Sequence, residues 1–336
     1  MRTFDYAAPP TLDAAIALLG ANGAAGEDGQ AARPLAGGTD LLTLMKADLV
    51  APRTLVDIKR LADLHDRIEP GPDGLEIGAL ATLAQVEDDP LVRARAAALS
   101  EAAALAATPQ LRNMATIGGN LLQRPRCWYF RNPHLTCWLK GGDECLARGG
   151  ENQQHAIFDI SPCMAGHPSD PATALLALDA SVRLRGPSSE RTVSLAEFFT
   201  PPTDDHRRET ALEPDELVVS LLIPDAPDGT NSAYLKAMDR KVWAFALVGV
   251  AAVARVEDGT IAEARLALGG VAPVPWRAVD AERVLAGSAA TPETFDRAAD
   301  AALSGAQPLH LNGYKLPIAR ALIRRVLEAA TRLPGG

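Results

Sequence analysis

The spacing of apolar residues changes several times along the chain, and each change predicts a new element of secondary structure. In the first part, helix-like spacing alternates with strand-like spacing, which is typical of a small α/β unit. Helices are predicted at residues 11–19, 39–49 and 91–107, and Thr11 is the predicted N-cap of the first. One short strand is predicted to end at residue 36, and two more are predicted at residues 54–58 and 75–79. Residues 21–32, rich in glycine and alanine, predict a loop.

The second half of the chain combines longer strands with helices. A helix at residues 171–178 precedes strands at 181–185 and 213–224. Strands at 233–238 and 246–256 follow, and Asp258-Gly259 predicts a hairpin turn into a strand at 261–269. With helices at 291–302 and 318–331, this last part forms an α+β domain. The pattern predicts three units with boundaries at residues 1–60, 61–224 and 225–336.

Composition and charge exclude two broad classes of function. The chain has 336 residues, of which 33 are basic and 42 acidic, and its formal net charge is −9. A nucleic-acid-binding protein needs a basic face, so we expect no nucleic-acid partner. The longest apolar run, residues 245–254, is shorter than the ~20 residues that span a bilayer, so we expect no membrane span. The first residues lack an apolar leader, so we expect a cytoplasmic protein, or a periplasmic one if a signal-bearing partner exports it.

Two Gly-Gly pairs follow apolar residues and precede polar ones. They lie in Leu35-Ala36-Gly37-Gly38-Thr39-Asp40 and in Ala115-Thr116-Ile117-Gly118-Gly119-Asn120. A pyrophosphate needs backbone N–H groups at close range, and glycine removes the side chains that would block its approach. Thr39, Thr116 and Asn120 can add hydrogen bonds. Asp40 repels a phosphate, so we expect it to act only through its backbone or as a helix cap.

One Gly-Gly pair alone is common at ordinary turns, so each pair needs the support of the other. The Rossmann and Walker A patterns do not occur in the sequence. If a nucleotide binds here, the fold that holds it is therefore neither of those two.

All four cysteines of the chain lie between residues 127 and 163. Cys127, Cys137, Cys145 and Cys163 have the spacing C-x9-C-x7-C-x17-C. Two disulfides are typical of small secreted domains, and zinc sites usually contain closely spaced cysteine pairs. A metal or cluster site other than zinc therefore fits this segment best.

Taken together, these motifs resemble those of the FAD-binding subunits of the xanthine dehydrogenase family of molybdenum hydroxylases. The resemblance rests on both glycine turns, on residues 167–170 (HPSD) and on residues 234–241 (YLKAMDRK). It implies an α+β protein with a vanillyl-alcohol-oxidase-type FAD-binding fold. In that fold, two α/β subdomains, residues 1–60 and 61–224, hold FAD, and residues 225–336 form a C-terminal α+β domain.

The same resemblance implies positions for the parts of FAD. The pyrophosphate would lie on the two glycine turns, the polyol near Asp170 and the isoalloxazine near Lys236. Asp170 can also cap the helix that follows Pro171. By itself, the sequence favours an ordinary solvent-exposed strand lysine at Lys236.

The cysteine segment, about residues 121–166, resembles the insertion in the flavin subunits of bacterial aldehyde oxidoreductases. Residues 123–131 (QRPRCWYFR) carry this resemblance. It implies one [4Fe–4S] cluster, because four thiolates complete its ligand set. The implied ligands are Cys127, Cys137, Cys145 and Cys163. His155 and His167 are the alternative ligands, although we expect both to be structural histidines.

The resemblance implies that the chain is the flavin subunit of a heterotrimeric enzyme, an aldehyde oxidoreductase. A large subunit with molybdopterin would oxidise the substrate. A small subunit with two [2Fe–2S] clusters would pass the electrons to FAD, and FAD would pass them to an external acceptor. Two alternatives remain open at this point. The chain is a stand-alone flavin oxidoreductase in one, and a non-catalytic iron–sulfur sensor in the other.

Overall fold

Three β-sheets organise the chain in the computed structural model, which describes residues 1–21 and 32–332. The first sheet has the order β1-β3-β2 and contains β1 (Asp5–Ala7), β2 (Ala32–Leu35) and β3 (Thr54–Asp57). Both strand pairs are parallel, as expected when helices connect the strands. The loop predicted at residues 21–32 lies, apart from its two end residues, outside the described residues.

The second sheet has five strands in the order β4-β5-β8-β6-β7. They are β4 (Ile68–Gly71), β5 (Gly74–Gly78), β6 (Ser181–Arg185), β7 (Glu190–Ser194) and β8 (Leu217–Pro224). Neighbouring strands in this sheet are antiparallel. The second glycine turn and the cysteine segment both belong to the long connection between β5 and β6, so this sheet supports both of them.

The third sheet has the order β12-β11-β10-β9 and lies in the C-terminal part of the chain. Its strands are β9 (Thr230–Ala237), β10 (Val248–Glu257), β11 (Thr260–Gly269) and β12 (Trp276–Arg277). Asp258 and Gly259 join β10 to β11 with φ angles of 48° and 78°. Positive φ at both positions is what a type I′ hairpin turn requires, so the predicted hairpin is confirmed.

Short helices surround the first two sheets, and longer helices cover the third. The helices of the described residues are α1 (Leu12–Ala21), α2 (Leu41–Lys46), α3 (Leu83–Asp88), α4 (Pro90–Arg95), α5 (Ala97–Leu105), α6 (Pro109–Arg112), α7 (Ile117–Leu121), α8 (Trp128–Arg131), α9 (Asp170–Ala177), α10 (Leu195–Phe198), α11 (Val279–Leu285), α12 (Pro292–Leu303) and α13 (Lys315–Ala330), with a 3₁₀ turn at Trp138–Lys140. Among these residues, no helix combines the length and apolar character needed to cross a membrane.

Capping side chains set several of the helix ends. Thr11 accepts the N–H of Ala14 at 3.3 Å, so its predicted role as a cap is confirmed.

Two predictions about helices are wrong. The single helix predicted at residues 91–107 is two helices, because Ala96 (φ −144°, ψ 52°) leaves the helical region and separates α4 from α5. The capping role predicted for Asp170 is also wrong. Ser169 caps α9 by accepting an N–H at 3.1 Å, and Asp170 is the first residue inside that helix.

Among the described residues, two large apolar cores and two small ones lie between these layers. The first core joins the first and second sheets and includes Val56, Ile77 and Leu221. The second lies between the third sheet and α11 to α13. One small core contains all four cysteines, two of them at its buried centre and two partly buried at its edge. The cysteine segment is therefore a packed part of the fold.

Candidate functional site

A cavity of about 550 Å³ is lined by residues of β2, β8 and both glycine turns. Its volume is in the range typical of cofactor sites. The predicted site residues that line it are Ala36, Gly37, Gly38, Thr39, Asp40, Thr116, Gly118 and Gly119. Those that do not line it are Leu35, Ala115, Ile117, Asn120, Asp170 and Lys236. The structure thus brings the two turns together around one space, as the sequence predicts.

The first glycine turn presents a row of unpaired backbone N–H groups. Within residues 1–21 and 32–332, the N–H groups of Gly37, Gly38, Thr39 and Asp40 donate no hydrogen bond. Gly38 has a φ of 71°, in the left-handed region that favours glycine. Successive N–H groups in such a turn form a concave site for an anion. This turn therefore has the donors that a pyrophosphate needs.

Gly37 is required for a second reason, which the sequence does not reveal. A Cβ atom at this position would lie 1.8 Å from the carbonyl oxygen of Met114. Met114 lies just before the second glycine turn, so the two turns touch each other through Gly37. The absence of a side chain here serves packing as well as ligand approach.

The second glycine turn differs from the first because its N–H groups are already bonded. Ile117 and Gly118 donate to the carbonyls of Ala81 and Ala79 at 2.7 and 3.0 Å. Gly119 donates to the Thr116 hydroxyl at 3.2 Å, which makes Thr116 the cap of α7. The prediction that this turn supplies free N–H donors is therefore wrong. Gly119 lines the cavity and also keeps this cap in place, because a Cβ here would lie 2.9 Å from the Thr116 hydroxyl, closer than real Cβ contacts come.

Asp40 has a different role from the one expected for it. It occupies the N-cap position of α2, but its side chain makes no capping hydrogen bond. Instead, its carboxylate accepts the backbone N–H of Arg124 at 2.9 Å and pairs with Arg126 and Arg131 at 2.8 and 2.9 Å. The carboxylate thus faces the cysteine segment, and the expected capping role is wrong.

Asp170 and Lys236 form a buried ion pair. Lys236 Nζ lies 2.8 Å from Asp170 Oδ2, and their side chains are 1% and 5% exposed. Tyr234 donates its hydroxyl to Asp170 Oδ1 at 2.6 Å, and Lys236 also donates to the carbonyl of Leu105 at 3.0 Å. Burial raises the pKa of Asp170, although Lys236 and Tyr234 oppose this effect. Lys236 is therefore not a surface lysine.

Asn120 links this pair to the second glycine turn. Its side-chain oxygen accepts the hydroxyl of Ser169 at 2.5 Å, and Ser169 directly precedes Asp170. Three of the six predicted residues outside the cavity wall, Asn120, Asp170 and Lys236, thus lie close together beside α7 and α9.

Sequence reasoning did not identify the arginines that line the cavity. Arg33 lies on β2 and lines the cavity, and its guanidinium makes no ion pair or hydrogen bond with any described residue. Burial, with Arg208 and Arg124 as its charged neighbours, lowers the pKa of Arg33. An unpaired guanidinium in a concave wall is a candidate contact for an anionic ligand. Its position shortly before the first glycine turn was the available signal.

The four cysteines converge, as the sequence predicts, and none of them is in a disulfide. A hydrogen bond joins Cys145 to Cys163; it lowers the pKa of Cys145 to about 6 and raises that of Cys163. Burial raises the pKa of Cys127 to about 11, and Cys137 and Cys145 are close enough to contribute to this shift. Within the described residues, no group of three or more His, Cys, Asp or Glu side chains is arranged to hold a metal ion.

Of the two histidines considered as alternative ligands, His155 is the one whose ring contacts a cysteine. Its Nε2 is 3.1 Å from Cys127 Sγ, and its Nδ1 is buried without a hydrogen bond. Burial lowers the pKa of His155 to about 4 and that of His167 to about 3. His167 instead packs edge-on against Phe199 at 4.9 Å between ring centroids.

The end of the cysteine segment is tied to the last helix of the chain. Lys315, at the start of α13, is fully buried. Its ammonium donates to the carbonyls of Gln154, His155 and Gly270 at 3.1, 2.8 and 2.8 Å. Asn312 donates to the carbonyls of His155 and Ala156 at 3.2 and 2.9 Å. The segment is therefore anchored to the C-terminal domain.

Family models match both parts of this architecture. Residues 2–226 match the FAD binding domain in molybdopterin dehydrogenase, and residues 233–330 match the CO dehydrogenase flavoprotein C-terminal domain. The fold and the cavity thus define a flavin-binding subunit of an oxidoreductase.

Individual relatives agree with the family models. The aldehyde oxidoreductase FAD-binding subunit PaoB of Escherichia coli (strain K12) is 40% identical over 304 residues, which cover 89% of this chain and 91% of that protein. The carbon monoxide dehydrogenase medium chain of Hydrogenophaga pseudoflava is 33% identical, over 97% of this chain and 96% of that protein. A solved structure of carbon monoxide dehydrogenase from Hydrogenophaga pseudoflava, lacking the Mo-pyranopterin moiety, has a TM-score of 0.77 at 32% identity and covers 98% of this chain and 97% of its own.

The chain therefore belongs to the family of FAD-binding subunits of molybdenum hydroxylases. The predicted family, the fold class and the FAD cofactor are confirmed. The predicted domain boundaries, the individual site residues and the cellular compartment stay predictions.

Proposed function

We propose that this chain is the electron-transfer subunit of a heterotrimeric molybdenum hydroxylase that oxidises aldehydes. The observation that carries the proposal is the row of unpaired N–H groups at Gly37–Asp40, facing a cavity of about 550 Å³. The aldehyde class is supported by the 40% identity to the aldehyde oxidoreductase subunit PaoB. Its partners would be a large subunit with molybdopterin and a small subunit with two [2Fe–2S] clusters.

The residues of the chain divide the binding of FAD between them. The N–H groups of Gly37, Gly38, Thr39 and Asp40 would hold the pyrophosphate, and Gly119 leaves room for it. Asp170 and Lys236 would lie beside the polyol and the isoalloxazine. When bound, FAD supplies the redox chemistry, accepting electrons from an iron–sulfur partner and giving them to an external acceptor. The chain binds and orients the cofactor and sets the charge around it.

We assign a [4Fe–4S] cluster to Cys127, Cys137, Cys145 and Cys163. Support comes from the donor set, since four free thiols share one small core and iron–sulfur clusters are held by thiolates. His155 is buried beside Cys127 and is the neighbouring group that would shield this ligand from water. We favour a structural role, in which the cluster shapes the loop that meets a partner subunit.

Production with and without the two partner subunits tests the assignment of function. In the complex, an aldehyde should bleach the flavin absorbance. The isolated chain, loaded with FAD, should not respond to the same aldehyde. Turnover by the isolated chain would contradict the proposal and favour a stand-alone flavin oxidoreductase.

Iron analysis and electron paramagnetic resonance of the reduced chain test the cluster. About four irons per chain are expected for one [4Fe–4S] cluster. Replacing any of the four cysteines by serine should reduce the iron content and alter the signal. His134→Asn, at an exposed position in the same segment, is the matched control and should keep both. Zinc without iron, or disulfides in protein prepared without air, would contradict the assignment.

A further inference from the structure

The carboxylate of Asp40 connects the first glycine turn to the segment that carries Cys127. One oxygen accepts the backbone N–H of Arg124 at 2.9 Å. The other lies 2.9 Å from Nη2 of Arg131 and 2.8 Å from Nη1 of Arg126. The Asp40 side chain is only 16% exposed. Contacts sheltered from water in this way are screened less than ion pairs at the surface.

Residues 124–131 depend on these contacts for their shape. Arg131 also donates to the carbonyls of Pro125 and Arg124 at 2.8 and 2.9 Å, so one guanidinium folds the segment while it is bound to Asp40. Arg126 lies over the ring of Phe245, 4.8 Å from its centroid, which extends the contacts to the C-terminal domain. Cys127 lies between these two arginines in the sequence, so its position depends on theirs.

The two guanidinium groups explain how a carboxylate can lie beside an anion site. Alone, the charge of Asp40 would repel a phosphate. Because Arg126 and Arg131 share this one carboxylate, the three side chains together carry a positive charge. The arginines thus make the turn a better site for an anion, and an anion on the turn favours the arrangement in which they are in place.

We propose that Asp40 is a positioning residue that couples FAD binding at the first glycine turn to the ordering of residues 124–131. The inference rests on the proposed position of the FAD pyrophosphate on this turn. Backbone N–H groups of the turn bind the anion while its one carboxylate holds the segment, so fixing either fixes the other. Coupling between two sites is reciprocal. Loss of FAD loosens the segment, and loss of the segment contacts weakens FAD binding.

Amide hydrogen exchange of the full chain, followed by mass spectrometry with and without FAD, tests this coupling. In the wild type, FAD should slow exchange in peptides from both glycine turns and in the peptide covering residues 124–131. The slowing in residues 124–131 should be about tenfold, within the usual range for coupled sites. In Asp40→Ala, FAD should still slow exchange in the glycine turns, but residues 124–131 should exchange fast in both states.

Three further variants keep the test decisive. Arg131→Met removes the contact from the segment side, so it applies the same test if Asp40→Ala binds no FAD. The Asp13–Arg185 ion pair, 2.7 Å apart and formed by residues that do not line the cavity, supplies the matched controls Asp13→Ala and Arg185→Met. In both controls, FAD should still slow exchange in residues 124–131. Losing an ion pair elsewhere in the chain lowers stability in general but leaves the contacts of Asp40 in place.

The outcomes separate the coupling from the assignment of the FAD site. If FAD still slows exchange in residues 124–131 equally in Asp40→Ala and Arg131→Met, Asp40 does not couple the two regions. If FAD slows exchange in neither glycine turn of the wild type, the proposed position of FAD is wrong, and the coupling falls with it. Slowing of the turns alone in the wild type leaves the FAD site intact and overturns the coupling.

Discussion

The buried pair of Lys236 and Asp170 gives the sharpest prediction. Lys236→Met removes the only cation within 4 Å of the Asp170 carboxylate among the described residues and leaves Tyr234 as its remaining side-chain donor. Breaking one partner of a buried ion pair costs about 3–5 kcal/mol, because the other charge is left without compensation. Lys236→Met should therefore lower the free energy of unfolding by about this amount. The double variant Lys236→Met, Asp170→Asn should recover much of the loss, since no buried charge remains.

The loss should depend on pH, with a sign that the burial of Asp170 fixes. Burial raises the folded-state pKa of Asp170, and Lys236 is the largest influence that opposes this rise. Without Lys236 the folded-state pKa rises further, so the folded state binds a proton more readily than the unfolded state. The variant should then be nearest to wild type at low pH and lose stability as pH rises through the raised pKa.

Urea unfolding with saturating FAD, at about pH 5 and about pH 8, measures the difference. The same samples allow a second readout, the reduction potential of the flavin. Lys236→Met should lower the potential, because it exposes the flavin to the uncompensated charge of Asp170, and the double variant should restore part of it. A stability loss independent of pH, or equal potentials in the single and double variants, would refute this reasoning.

Three further predictions concern the cavity and the C-terminal anchor. Gly37→Ala should destabilise the apo chain by about 1–3 kcal/mol, because its Cβ would lie 1.8 Å from the Met114 carbonyl oxygen. Gly119→Ala should weaken FAD binding and destabilise the apo chain less than Gly37→Ala, because its Cβ would lie 2.9 Å from the Thr116 hydroxyl. FAD titration and urea unfolding of both variants separate the two effects. Arg33→Met should weaken FAD binding and reduce its salt dependence, and unchanged affinity across a salt series would argue against an anion contact. Burial lowers the pKa of Lys315 to about 7, so wild-type stability should rise as pH increases from about 7 toward the unfolded-state pKa, and Lys315→Met should lack this rise in urea unfolding.

Local patterns predicted the elements whose signals lie within a few residues. The two glycine turns, the Asp258-Gly259 hairpin and the convergence of the cysteines all follow from residues that are close in sequence or unusual in type. The break at Ala96 has no such signal, because it lies in an alanine-rich run with uniform helix propensity. Its position is set by packing rather than by the residue itself.

The partners of polar side chains were the least predictable part of the site. Asp40 and Arg131 are 91 residues apart in the sequence, and Asp170 and Lys236 are 66 apart. Nothing in the sequence near Asp40 shows that its carboxylate will bind arginines from a distant segment instead of capping the adjacent helix α2. The same holds for the second glycine turn, whose N–H groups are used by Ala79, Ala81 and Thr116 only because β5 passes close to it.

The anchoring of the cysteine segment by Asn312 and Lys315 has a consequence for biosynthesis. These residues bond to carbonyls at 154–156, about 160 positions earlier in the chain. Domains fold as units while the chain emerges, N-terminal parts first, so the glycine turns can form long before α13 has been synthesised. The cysteine segment reaches its final shape only after Asn312 and Lys315 have been synthesised. A chain that stalls before α13 would therefore hold the two glycine turns in place beside four thiols that have not yet reached their final positions.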